Sequence, residues 1–413
     1  MDNSTLISKK DRTGTLLSCL LVFSCLYKIA VVKDGILQKV LSPIVNILPY
    51  SDIGRYTNSI SIVRIFLVGM SLHGVCLVYW LLHEQGKIRL TRSTNEECLL
   101  LILGIRMISE FWVHRGLSAY SLTYDLLCLF FVLAFYQIRP DKKELESIQE
   151  SLARCFYRIG ILCAFFAIAY FFAGLMQSIS SFEFREYRIG GFLFDSILAG
   201  CLYGFGLISA VHLYLENKVK LPVLIVSAVI FSVGCLLTGS RSALYFLAIA
   251  FFYFVGSKKK FSKYLYAGLF IVIAIVLYST VLAEKDVSFV SDGARSYKYG
   301  LAFDVFIDHP VTGVGTNMFR QYDAIYGSNP HNLPLTLLAE NGIIGFLPWL
   351  IWFIKTAIYL VKTKNQYWRW MMICFIILSM ILGTLSNSIT VIIMVMLTWA
   401  CEMSVKVEND EEV

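Results

Sequence analysis

Apolar runs of roughly 16 to 24 residues recur along the chain between short polar connectors, and each run is long enough to cross about 30 Å of hydrocarbon as a helix. About twelve helices are predicted, starting near residues 14, 59, 98, 117, 155, 192, 221, 242, 264, 343, 370 and 387. One long polar interval interrupts the pattern, from Glu284 to Gly345. It is too long for an idle connection and too short for a large core of its own, so a few helical segments packed on a bundle are expected there. The expected fold is an all-α polytopic membrane protein forming one integral membrane domain over residues 1–413. Residues 284–342 form its one large extracytoplasmic loop and carry the candidate site.

Composition agrees. With 57% hydrophobic and 15% aromatic residues the chain is too apolar for a soluble domain. The net charge of +7 is not a nucleic-acid footprint, because the basic residues sit in connectors between apolar runs, where they signal topology. Lys9, Lys10 and Arg12, Lys87 to Arg92, Arg139 to Arg154, Lys218 and Lys220, Lys258 to Lys263, and Lys362 to Arg369 fall on one side, which the charge bias makes cytoplasmic. Both termini are then expected inside and the long loop outside. The run Gly14 to Val32 is too long for a signal-peptide core and has no small-residue cleavage site, so it is expected to remain as a first span. All eleven cysteines lie in or at the edge of apolar runs, which points to neither a disulfide framework nor a thiolate metal site.

Candidate chemistry concentrates in the polar interval. His331 lies in Pro330-His331-Asn332-Leu333-Pro334, where Asn332 reads as an N-cap, Pro334 fits a first helical turn, and Asn341-Gly342 reads as a stop. A histidine at such a helix mouth is either a proton acceptor near neutral pH or a surface residue beside a cap. Arg241, in Thr238-Gly239-Ser240-Arg241, begins a helix at an outward turn and either binds phosphate through its planar fork or snorkels. Arg295 is a third candidate, with a solvated charge or an Asp292 partner as the plainer alternatives. Asp308-His309-Pro310-Val311-Thr312-Gly313-Val314-Gly315 follows no strand and has no Lys-Ser/Thr tail, so its glycines are backbone punctuation rather than a P-loop. Glu284 and Asp286 lack further ligands for a cation. Arg64, Arg106, Glu110, Asp125, Asp195 and Lys355 lie in or near apolar runs, as a transporter would also require.

Taken together, Thr-Gly-Ser-Arg-Ser-Ala at 238–243, Gly-Ala-Arg at 293–295, His-Pro-Val-Thr-Gly-Val-Gly at 309–315, and Pro-His-Asn at 330–332 followed by Leu335, Leu338, Glu340, Gly342 and Gly345 resemble the O-antigen ligase and polymerase superfamily. The resemblance covers about residues 185 to 350; the N-terminal half matches only in hydropathy. It implies a metal-independent, cofactor-free glycosyltransferase that takes a glycan from undecaprenyl pyrophosphate and joins it to a sugar hydroxyl outside the inner membrane. It further implies His331 as the essential loop histidine and Arg241 and Arg295 as pyrophosphate-binding arginines, with Asn332, Glu340 and Arg188 in support. Around Arg188 the stretch departs from the family, since Asp195-Ser196 stands where Pro-Asn is expected. Tyr297, Tyr299, Tyr322 and Tyr326 are either sugar-stacking platforms or an interfacial belt.

The Pro-His-Asn motif favours a ligase acting on lipid A-core over a repeat-unit polymerase that shares the donor chemistry. A lipid-linked sugar transporter or flippase is the alternative of another class. It predicts greater sensitivity at Arg64, Arg106, Glu110 or Asp125 than at His331. Against it stand the absence of half-to-half symmetry and the concentration of polar residues in one interval.

Overall fold

The computed structural model describes residues 93–114, 139–177, 196–257, 285–325, 329–382 and 388–410, with scattered helical positions between 14 and 22 and between 128 and 136. Among the described residues the architecture is all-helical. In chain order the helices are α1 (Thr94–His114), α2 (Lys142–Gln177), α3 (Ser196–Leu215), α4 (Leu221–Leu237), α5 (Arg241–Ser257), α6 (Lys285–Asp308), α7 (Phe319–Tyr322), α8 (Leu333–Lys362), α9 (Gln366–Leu382) and α10 (Ser388–Asp410). The starts expected near 59, 117 and 264 lie outside the described residues, and near 14 only scattered positions are described.

Four helices are long and apolar enough to cross a membrane: α2 over Lys142–Ala169, α3, α8, and α10 over Thr390–Asn409. These four are among the described residues only, and the expected count of twelve is not confirmed by them. α4, flanked by described residues on both sides, is apolar but only 17 residues long, which at 1.5 Å per residue reaches about 26 Å; α5 and α9 are apolar over their described 17 residues. α3 is buried along its whole length from Leu198 to Leu213, as a helix apolar on all sides must be. α2, α4, α5 and α9 pack around it.

A polar network fixes how these helices are directed. Gln149 early in α2 accepts from Asn365 Nδ2 at 2.6 Å and places its own Nε2 2.9 Å from His212 Nε2, late in α3. An amide nitrogen only donates, so His212 Nε2 accepts and Nδ1 carries the proton, 3.3 Å from the Tyr253 hydroxyl late in α5. Tyr367, at the start of α9, stacks on His212 and pairs with Ser209 at 3.1 Å. Lys218 meets Glu150 at 3.3 Å, and the Lys364 amide donates to the Glu408 carboxylate of α10. The described basic connectors that the sequence assigns to one side, around residues 139–154, 218–220 and 362–369, therefore gather at one end of the bundle, here termed the basic end. Arg241, at the start of α5, and Met380, near the finish of α9, consequently lie at the opposite end.

The opposite end is built by a splice between two segments. Inside α8, Gly342 has φ 60° and ψ −160°, a combination essentially confined to glycine. The helical ladder opens there, so the carbonyls of Ala339 and Glu340 lose the N–H groups of Ile343 and Ile344. Residues 310–315 replace both partners. Val314 N donates to Ala339 O at 3.0 Å and Gly315 N to Glu340 O at 2.8 Å, while Ile343 N donates to Pro310 O at 2.9 Å and Ile344 N to Val311 O at 3.3 Å. These four peptide groups are thereby paired again, as opening a helix at membrane depth requires. The backbones touch closely enough that a Cβ on Gly342 would strike the Val311 carbonyl and one on Gly313, at φ 67°, would strike the Glu340–Asn341 peptide. The stop expected at Asn341-Gly342 is therefore a break within one 30-residue helix, because the residues after it resume an apolar helical pattern.

Gly342→Ala combines backbone strain with a direct clash, and a loss on the order of 3 kcal/mol is expected. It will appear as a markedly lower thermal denaturation midpoint of the detergent-purified protein, and an unchanged midpoint would contradict the splice.

Candidate active site

The expected loop of residues 284–342 is largely helical. α6 is 24 residues long, and its last turns bury Ala302 and Val305 with Phe319 and Ala339 in a small cluster flanked by Leu301, Val314 and Leu335. Since α6 and the first segment of α8 share this cluster and both finish at the splice, they run side by side in the same direction. One and two turns upstream of Ala302, on the stripe that includes Val305, stand Lys298 and Arg295. At equal rise per residue they come level with His331, which precedes α8.

His331 takes φ 55°, a left-handed conformation that costs a non-glycine residue of order 1 kcal/mol. It is followed by Asn332, whose extended backbone (φ −152°, ψ 117°) and side chain cap α8. Asn332 Oδ1 accepts from Leu335 N at 3.1 Å, its carbonyl accepts from the Thr336 amide and hydroxyl, and its Nδ2 donates to Met380 O at 3.4 Å. The last bond ties the histidine turn to the finish of α9, and so places His331 at the same end of the bundle as the start of α5. The expected cap and the Pro334 first turn are both present.

Around this turn are charges. Arg320 Nε donates to Asn329 Oδ1 at 3.2 Å, two residues before His331. Lys298 is 6% exposed. Its burial pushes the ammonium pKa down, with the Asp323 carboxylate opposing that shift and the Arg295 guanidinium adding to it. Asp323 is itself buried and belongs to the short turn after α7 that lies between α6 and the histidine. The Glu340 carboxylate, 1% exposed, faces the backbone amides of Asn317 and Phe319 and the charges of Arg106 and Arg320. Asn341 Nδ2 donates to Thr316 Oγ1 at 3.0 Å, and Thr316 bonds in turn to Ser109 Oγ and the Arg106 carbonyl of α1. Glu340 and Asn341 hold the turn that presents Arg320.

Of the residues read from sequence, His331 and Asn332 are adjacent at the start of α8, and helix rise counted back from the splice puts Arg295 within about a turn of their level. The Arg241 backbone begins α5 at the same end, after a turn in which Gly239 has φ 56° and the Thr238 hydroxyl accepts from Ser240 N at 3.2 Å. Glu340 sits one layer behind, and Arg188 and Tyr326 lie outside the described residues. Tyr297 and Tyr322 are exposed, the latter packed edge-on to His309 at 6.4 Å between ring centroids. Lys298, Arg320 and Asp323 were missed. The spacing of Arg295, Lys298, Ala302 and Val305 at three and four residues was the available signal, legible once the interval is read as a long helix rather than a loop.

Among the described residues these features are those of an all-helical protein with helices long and apolar enough to cross a membrane, whose histidine turn lies at the end of the bundle remote from its described lysine-rich connectors. Residues 226–350 match the family model described as O-antigen ligase, and this match supports membership of the O-antigen ligase superfamily. The matched segment contains α5, α6, the splice and the histidine turn. No curated protein matches the chain.

Asn332→Ala removes the cap and the tie to α9 together and is expected to cost about 1 kcal/mol or somewhat more. Asn332→Asp retains the acceptor and should recover most of the lost denaturation midpoint; equal losses in the two variants would mean that capping is not the role of this side chain.

Proposed function

We propose that the protein is an O-antigen ligase, a glycosyltransferase moving a glycan from undecaprenyl pyrophosphate to a sugar hydroxyl of lipid A-core. The reaction takes place at the periplasmic face of the bacterial inner membrane, with both termini cytoplasmic. The observation that carries this reading is the capped turn that holds His331 at the start of α8 within the segment that matches the family, with Arg320 bonded to Asn329 two residues before it; counting helix rise back from the splice sets Arg295 and Lys298 near the same level.

In this reading the acceptor hydroxyl attacks the anomeric carbon of the donor sugar, and the bond from that carbon to the pyrophosphate oxygen breaks. His331 takes the hydroxyl proton as the new glycosidic bond forms. Charge grows on the departing oxygen, and Arg241, Arg295 and Lys298 stabilise it through charge-assisted hydrogen bonds. Undecaprenyl pyrophosphate leaves, and neither a metal nor a cofactor takes part. Arg320, steadied by Asn329 and Glu340, widens the basic surface for the pyrophosphate. The buried position of Lys298 makes its charge more effective than that of an exposed lysine.

The first test is complementation of a deletion strain with His331→Ala, read on a lipopolysaccharide gel with membrane protein abundance measured in parallel. Loss of transfer at wild-type abundance is expected, and normal transfer would remove His331 as the base. In the deletion strain itself, polymer accumulating on the lipid carrier with none on lipid A-core is expected. Lipid A-core capped by single repeat units would instead make the protein a polymerase.

Lys298 offers a pH test. Burial lowers its pKa below the ordinary lysine value, so its charge is lost on alkalinisation before that of a solvated lysine, whereas arginine stays charged. Lys298→Met should weaken use of the donor roughly 10- to 100-fold. In Lys298→Arg the alkaline limb of kcat/KM for the donor should move to higher pH, and coincident limbs in the two enzymes would exclude Lys298 from donor binding.

A further inference from the structure

α6 presents three different flanks in its C-terminal half. One, bearing Lys298, Ala302 and Val305, is buried against the protein. A second bears Asp304 and Asp308, one turn apart and both exposed. The third bears Phe303 and Ile307, also one turn apart, which are 54% and 57% exposed, and beyond the helix Val311 is 56% exposed. A helix standing wholly in water has no reason to segregate exposed aspartates from exposed phenylalanine and isoleucine on adjacent flanks.

The apolar flank does not stop at the helix. The Val311 carbonyl accepts from Ile344 N at 3.3 Å, and from Ile344 a continuous exposed stripe descends α8 through Leu347, Ile351, Ile354, Ile358 and Val361. Their spacing of three and four residues places them on one face of a helix long and apolar enough to cross a membrane. That face meets lipid, and the splice joins it directly to Phe303 and Ile307.

The geometry points to α6 as an interfacial membrane helix, with Phe303, Ile307 and Val311 seated in the acyl–headgroup boundary of the leaflet at the splice end of the bundle, and Asp304 and Asp308 turned to water. The occupant of the exposed apolar flank is therefore the lipid surface itself. One consequence follows for Arg295 and Lys298: α6 holds them at the depth of lipid phosphate groups, so that an anionic headgroup carried by a lipid reaches them sideways from the leaflet rather than from bulk water. The seating of α6 rests on its surface alone and stands whether or not the ligase reading does.

The test uses the full chain in nanodiscs of phosphatidylethanolamine and phosphatidylglycerol. Spin labels are attached at Phe303→Cys, Ile307→Cys and Asp304→Cys, and the signal of the identically treated parent protein is subtracted for its own cysteines. Collision rates with oxygen, which concentrates in lipid, are compared with those of a water-soluble nickel chelate. Oxygen several-fold ahead of nickel at 303 and 307, with the order reversed at 304, is the expected result. Nickel ahead of oxygen at 303 and 307 would overturn it by placing that flank in water. Protection from both reagents, with dipolar broadening between labels, would overturn it in favour of a contact between two copies of the chain. None of these readings depends on transfer activity, so failure of the ligase assignment and failure of the lipid seating are separately visible.

Discussion

Four peptide hydrogen bonds exchanged between residues 310–315 and the opened ladder at Gly342 hold the functional end of this protein together. A helix broken inside a membrane bundle leaves amides and carbonyls with no water to satisfy them, and each would cost several kcal/mol if left bare. Here the break and the inserted turn satisfy each other. The constraint is strict in both directions, because neither Gly342 nor Gly313 has room for a side chain against the facing backbone. The two glycine-bearing motifs are therefore one structural unit read from two places in the chain.

From that unit the geometry of the site follows. The splice fixes where α6 finishes and where the first segment of α8 finishes, so two helices of known rise must lie in register over their length. Arg295 and Lys298 then face the same level as His331, and the Asn332 cap adds the finish of α9 to the same layer. Charges that would repel in isolation are held by intervening partners: Asp323 beside Lys298, and Asn329 and Glu340 beside Arg320.

At the basic end the same helices are locked by neutral polar contacts among Gln149, His212, Tyr253, Asn365 and Tyr367. Neutral groups suit burial among apolar helices, since paired amides and rings avoid the desolvation cost of buried charge. The two ends thus differ in kind: one is closed by satisfied neutral hydrogen bonds, while at the other Lys298 and Arg320 lie beside carboxylates and an amide before the start of α8.

Local features of the chain were legible because their physics is local. Apolar run length announces membrane-length helices, Asn332 and Pro334 announce a helix start, and Asn341-Gly342 announces an interruption. The clustering of lysines announces which connectors share an end, and the motifs from Thr238 to Gly345 resemble the family whose model matches residues 226–350. What the sequence did not determine is which distant groups meet. That the glycines at 313 and 342 lie back to back and that Lys298 turns inward beside Asp323 are results of packing. Hydrogen-bond partners across tens of residues are chosen by which backbone groups remain unsatisfied once all helices are in place, and no single segment carries that information.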